Sequence, residues 1–184
     1  MFFLEKYFFV NNFEPDLIKC QDKNTIIIYR NYCKIDNIKE IINLKNFCKK
    51  NYFKLILANN IKLALKLGIN GAYLPSFNQK YNHLSYSLKK DFILLGSAHN
   101  FKEIGIKKKQ RVKRLFLSSI FKENENYLGL NKFKNYINTS EDKFVALGGI
   151  TNNNVKKIKL TKAVGFAGIS FFKKKAPKKG PLNI

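Results

Sequence analysis

His99 stands two residues beyond Ser97, just after the apolar run 92–96 (FILLG), in a chain with one other histidine. An imidazole at that point can take or give a proton near neutral pH, or it can hold a loop as a hydrogen-bonded structural residue. Gly148 and Gly149 follow the run 144–147 (FVAL) and precede Ile150 and Thr151. Two adjacent glycines there let backbone come close to a ligand. A helix beginning just after them would offer free N–H groups to an anion. A tight turn followed by a helix cap is the other reading of the same residues. Gly168 and Ser170 stand at the end of the last apolar run and would complete a phosphate cup. Arg30, after TIIIY, suits a phosphate or carboxylate contact or a solvated surface position. Asn59, Ser97 and Ser119 each close an apolar run and are candidates to orient a substrate. His83 lies in the polar stretch YNHLSYS and reads as a surface residue.

Eight apolar runs carry these residues: 7–10, 25–29, 54–58, 71–74, 92–96, 114–118, 144–147 and 164–169. They are mostly continuous rather than alternating, as in parallel strands covered on both faces. Helical patterns lie between them. Over 36–49, Ile38, Ile41, Ile42, Leu44, Lys45 and Phe47 form a stripe, with Asp36 as N-cap. Residues 61–67 predict a short helix stopped by Gly68, and 130–137 another. Thr151 is expected to cap a further helix with Val155, Ile158 and Leu160 facing inward. A first helix near residues 16–20 is a turn or two at most. Strand and helix alternating eight times predicts a small (β/α)8 TIM barrel with trimmed loops and a reduced last helix; a doubly wound open sheet shares the pattern. In a barrel, the residues just after each strand form the active-site mouth. No linker divides the chain, so residues 1–184 read as one domain with a basic tail at 173–184.

Composition narrows the function classes. The chain has 184 residues, 35 Lys and Arg against 12 Asp and Glu, and 45% hydrophobic residues, which argues for a packed core over disorder. The formal charge of +23 would suggest nucleic acid. Only Arg30, Arg111 and Arg114 are arginine, however, and arginine is the better residue for bidentate phosphate and base recognition. The lysines are scattered, and Lys, Asn, Ile and Phe share A/T-rich codons. Nucleic acid is therefore disfavoured as a partner. Lys107, Lys108 and Lys109, with Lys173, Lys174, Lys175, Lys178 and Lys179, remain candidates for anion attraction. No apolar stretch reaches the length of a membrane-spanning helix. Cys20, Cys33 and Cys48 cannot all pair, and no zinc spacing occurs. The reading is a cytoplasmic protein, with homo-oligomerisation left open. No expected strand end carries Asp or Glu. Glu123 and Glu125 lie in the loop KENEN (122–126), where they would repel a phosphate unless a metal intervened.

Several stretches, in order, resemble the thiamine phosphate synthase family, which includes the related thiazole tautomerases. They are TIIIYR, LILANNIKLALKLGINGAYL, LLGSAH, and residues 143–172 with GGIT and GFAGIS. The resemblance implies a barrel in thiamine biosynthesis acting on a small phosphorylated heterocycle. It places the phosphate on Gly148, Gly149, Gly168 and Ser170, and acid/base work on His99. The departures fall on the synthase's own groups. Asn60 and Asn78 stand where that family's magnesium aspartates would fall, KENEN where its diphosphate threonines would, and Ile28 and Tyr32 where a glutamine and a lysine would. Asparagine is a much poorer magnesium ligand than aspartate. The expectation is thus a tautomerase-like barrel with no cofactor, in which His99 moves protons on a thiazole phosphate while Arg30, Asn59, Ser97 and Ser119 orient it. A divergent synthase, which would need magnesium, and a non-catalytic phosphate-binding barrel are the alternatives.

Overall fold

The computed structural model describes residues 4–33 and 37–173. Eight parallel strands close a barrel in sequence order: β1 (Glu5–Val10), β2 (Thr25–Tyr29), β3 (Leu55–Ala58), β4 (Gly71–Leu74), β5 (Ile93–Ala98), β6 (Arg114–Ser118), β7 (Phe144–Leu147) and β8 (Gly165–Gly168). β8 returns to pair with β1, with Glu5 opposite Gly165 and Phe8 opposite Gly168. The helices are α1 (Pro15–Lys19), α2 (Ile38–Lys50), α3 (Ile61–Lys66), α4 (Phe101–Lys109), α5 (Gly129–Asn138), α6 (Val155–Ile158) and α7 (Ser170–Lys173). A 3-10 turn at Asn82–Ser85 stands in place of a helix between β4 and β5. Closure excludes the open sheet, and every apolar run expected to be a strand is one.

Strand alternation sorts the core into two parts. Tyr7, Phe9, Ile28, Ile56, Tyr73, Leu95, Phe116, Val145 and Ala167 fill the barrel interior. Their neighbours one residue away, such as Phe8, Ile27, Leu94 and Leu115, join the layer between sheet and helices. Four aromatic rings plug the interior edge to face, with Tyr7–Phe116 centroids at 4.9 Å, Phe9–Tyr73 at 5.3 Å and Tyr73–Phe116 at 5.5 Å. Below them, at the N-terminal ends of the strands, Arg114 Nε and an Nη donate to both Glu5 oxygens, at 2.6–3.1 Å. Tyr7 Oη donates to the same carboxylate at 2.6 Å. Burial opposes ionisation of Glu5, but the Arg114 and Tyr7 hydrogen bonds and the Arg114 charge hold its carboxyl below the ordinary value. This network spans the N-terminal floor of the barrel; in barrels of this kind the active site lies at the other end, past the C-terminal ends of the strands.

Several helix details differ from the sequence reading. The cap of α2 is Asn37, whose Oδ1 accepts from Glu40 N at 3.3 Å; Asp36 lies outside the described residues. The buried stripe of α2 is Ile41, Leu44 and Cys48, at i, i+3 and i+7, while Ile38 and Ile42 are exposed. The helix after β7 does not begin at Thr151: Asn154 Oδ1 accepts from Thr151 N at 2.8 Å, and α6 is a single turn with Ile158 buried and Leu160 exposed. The apolar pattern does not announce α4, because its inward positions are Ile104 and a lysine, around a glycine. That lysine, Lys107, is fully buried and is no anion-attracting surface residue. Of the basic tail, only Lys173 falls within the described residues, at the end of α7.

Candidate active site

The mouth is built by continuing the inward parity of each strand one step past its end. On β5, Ile93, Leu95 and Ser97 point inward, which puts His99 next in line above the plug. Asn100 then caps α4, its Oδ1 accepting from Glu103 N at 3.0 Å. Glu103 reaches back from the first turn. Its Oε2 accepts from His99 N at 2.8 Å and lies 3.0 Å from His99 Nδ1. Both side chains are about a quarter exposed, at 24% each, so the pair is neither sealed in the core nor lost to bulk water. Sequence reasoning missed Glu103, although Asn100-x-x-Glu103 is a capping signature that could have revealed it.

Ser97 is buried and hydrogen-bonds Tyr73 inside the barrel. Burial pushes the Tyr73 hydroxyl well above its ordinary value, a shift the Ser97 bond only partly offsets. Arg30 follows β2 and lays its guanidinium 4.6 Å from the centre of the Phe9 ring, roofing the plug while keeping its charge at the mouth. Tyr32 meets Phe77 edge to face at 5.4 Å, and both rings are exposed on the rim between the β2 and β4 loops.

Next to them is an amide cluster. Asn59 follows β3 with a φ of 59°, a left-handed conformation that asparagine tolerates. Its Oδ1 accepts from Asn78 Nδ2 at 2.7 Å. Asn78 Oδ1 accepts from Lys80 N, and Asn60 Oδ1 accepts from Leu63 N, both at 2.9 Å. Lys107 supports this loop from below: its ammonium donates to Pro75 O and Asn78 O at 2.7 Å each and to Gln110 Oε1 at 3.0 Å. Burial lowers its pKa to about 8, against a smaller upward pull from Glu103. Gly96 makes room for it, since a Cβ there would fall 3.0 Å from Lys107 Cδ and 2.9 Å from Val112 Cγ1. His83 is buried as well, with Nε2 2.9 Å from Gln110 O, so it belongs to this support and not to the surface.

The family's synthases imply magnesium, and these residues do not fit it. The donors at the expected ligand positions are neutral amides, and each amide oxygen already accepts a hydrogen bond. Magnesium takes carboxylates in preference. Among the described residues no group of three or more His, Cys, Asp or Glu could hold a metal ion. The fixed Lys107 ammonium on Asn78 O adds a positive charge beside the place where a cation would sit.

Across the mouth, Gly148 and Gly149 have φ of 102° and 71°, values that favour glycine. Their side-chain space is filled by the loop after β6: a Cβ on Gly148 would fall 2.3 Å from Ser119 Oγ, and one on Gly149 would fall 2.5 Å from Lys122 N. The glycines therefore let that loop lie against β7. Ser119 clasps it, donating from N to Asn126 O and from Oγ to Lys122 O and accepting from Leu128 N, all at 2.8 Å. This folds residues 122–126 into an exposed but closed loop. Among the described residues none accepts from the N–H groups of Gly149 and Ile169. A Cβ on Gly168 would meet nothing within 4 Å, and Ser170 is exposed at the first position of α7. The mouth thus has a backbone N–H edge over β7 and β8, a histidine–carboxylate pair at β5 and a neutral amide rim over β3 and β4. A depression of about 560 Å³ lies at the barrel floor beside Glu5 and Arg114. A smaller recess of about 190 Å³ lies between α3 and the 3-10 turn, lined by Asn59, Asn60, Lys62, Asn78, His83 and Tyr86.

A closed eightfold (β/α)8 barrel is an architecture shared by many unrelated enzymes. The comparisons give the family. The family model for thiamine monophosphate synthase matches residues 18–172, and the chain belongs to that family. Its curated relatives include a thiamine-phosphate synthase from Hydrogenobaculum sp., 23% identical over 72% of this chain and 64% of that protein. Another, from Methanococcus vannielii, is 33% identical over 44% of this chain and 41% of its own length. The chain thus spans less than two thirds of either relative. Among solved structures, a thiamine phosphate pyrophosphorylase from Pyrococcus furiosus superposes with a TM-score of 0.73 at 15% identity, covering 94% of this chain and 92% of that one. FabK from Thermotoga maritima reaches 0.71 at 7% identity, over 92% of this chain and 59% of its own, which reflects the fold alone. No helix among the described residues is long and apolar enough to cross a membrane.

Proposed function

We propose that this barrel binds a phosphorylated thiazole carboxylate of thiamine biosynthesis and moves protons on it without a metal, as thiazole tautomerases do. The observation that carries this reading is the pairing of His99 with Glu103 at a mouth whose neighbouring rim, over β3 and β4, is made of engaged amides. His99 removes a proton from one carbon of the heterocycle and returns one to another, so the step needs no oxidant, leaving group or co-reactant. The N–H edge of Gly149 and Ile169, with Gly168 and Ser170, holds the phosphate. Arg30 faces the carboxylate, and Asn59 and Ser97 belong to the wall that orients the ring. Ser119 acts there through the loop it clasps.

The names of the two curated relatives favour a second reading, in which the chain couples a pyrimidine diphosphate to the thiazole phosphate. That reaction calls for magnesium at the diphosphate, where this chain places Asn60 and Asn78. One assay separates the two. Thiazole phosphate carboxylate is incubated in deuterated buffer with a chelator, and separately with magnesium and the pyrimidine diphosphate. Deuterium incorporation with the chelator supports the tautomerase reading. Thiamine phosphate formed only with magnesium establishes the synthase, and binding without either reaction establishes a non-catalytic barrel.

A further inference from the structure

We infer that Glu103 is a positioning residue that selects the tautomer of His99 and aims its Nε2 into the mouth. The inference rests on the proposed role of His99 for its consequence in catalysis, but its structural content stands on the geometry alone. One oxygen of Glu103, Oε2, serves two donors: His99 N at 2.8 Å and His99 Nδ1 at 3.0 Å. The other oxygen accepts from Asn100 Nδ2 at 3.2 Å. An ionised carboxylate is an acceptor only. Nδ1 must therefore carry the hydrogen, which leaves the Nε2 lone pair of the neutral ring as the available base.

A plain helix cap would not need this arrangement. Asn100 already caps α4 by accepting from Glu103 N. The carboxylate passes beyond the cap residue to hold the backbone and the ring of the residue before it. Two bonds to one oxygen fix both the χ angles of His99 and the position of its main chain. The glutamate is itself fixed by Asn100, so the imidazole is set by a chain of three side chains on one helical turn. The same logic of a carboxylate orienting an imidazole operates wherever a histidine must present one chosen nitrogen.

The test is long-range 1H–15N correlation on ligand-free protein carrying 15N-labelled histidine, at about pH 8.5, above the ordinary imidazole range. The chain has two histidines, so His99→Gln assigns the His99 signals by their disappearance. The expected wild-type spectrum shows Nδ1 protonated and Nε2 unprotonated for His99. In Glu103→Gln, whose amide can donate or accept, the two nitrogens shift toward a tautomeric average. Deuterium exchange into the thiazole then falls by about tenfold or more, with KM little changed. A wild-type His99 protonated on Nε2 would overturn the inference, as would a Glu103→Gln spectrum identical to wild type. If the tautomers behave as expected and no thiazole exchanges with either protein, the positioning stands and the proposed reaction fails.

Discussion

Asn78 Nδ2 donates to Asn59 Oδ1 across 2.7 Å, tying the loop after β4 to the residue that follows β3. The two positions are nineteen residues apart, and both side chains are neutral amides. This bond closes the rim on which a metal-dependent relative would need negative charge.

Removing the bond tests how the rim is held. Asn78→Ala leaves Asn59 Oδ1 without its donor and should cost about 1 kcal/mol in urea unfolding. Magnesium should leave the melting temperature of both wild type and variant unchanged relative to chelator. A wild-type melting temperature that climbs with magnesium would show a cation site that the amides do not explain.

Lys107 provides a pH-dependent stability. Its pKa is lowered to about 8 in the folded chain from an ordinary 10.5. Between those values the unfolded chain holds a proton that the folded chain does not, so raising the pH through that window favours the folded state. The cost of burying the ammonium is complete below pH 8 and is relieved as the pH rises to 10.5. The difference in unfolding free energy between wild type and Lys107→Met should rise by on the order of 3 kcal/mol across the window. A difference that stays flat would mean the three carbonyls fully compensate the burial.

The strands were legible because each is a short apolar run, rich in Ile, Leu, Phe and Val, covered on both faces. The order of those runs was enough for the barrel and for placing His99 and the glycines at its mouth. What the sequence hid has two physical causes: polar residues used as core, and bonds between separate loops. Lys107 and His83 look like surface residues in a lysine-rich chain, yet both are buried against Gln110. With Lys107 misread, α4 loses half of its inward stripe. The Asn59–Asn78 bond and the Ser119 clasp join separate loops, and no local spacing announces them. Glu103 was within reach, because it lies one helical turn after His99 behind a capping asparagine.

The glycines at the mouth should separate into two kinds. Gly148→Ala forces a side chain into a φ of 102° and against Ser119 Oγ, so it should destabilise the fold by about 1–3 kcal/mol or more. Gly168→Ala meets open space and should change stability by no more than about 0.5 kcal/mol. If β8 borders the phosphate, the same methyl should weaken a thiazole phosphate by about tenfold, or 1.4 kcal/mol. Equal stability of the two variants in chemical denaturation would show that the Ser119 loop does not lean on Gly148.

The most direct measurement is deuterium incorporation into thiazole phosphate carboxylate, followed by NMR in chelator, for wild type and His99→Ala side by side. Wild type should exchange without metal. His99→Ala should lose about a hundredfold to ten-thousandfold in rate while still binding the phosphate ligand. Exchange that survives in His99→Ala, or that appears in wild type only after magnesium is added, would contradict a metal-independent reaction carried by this histidine.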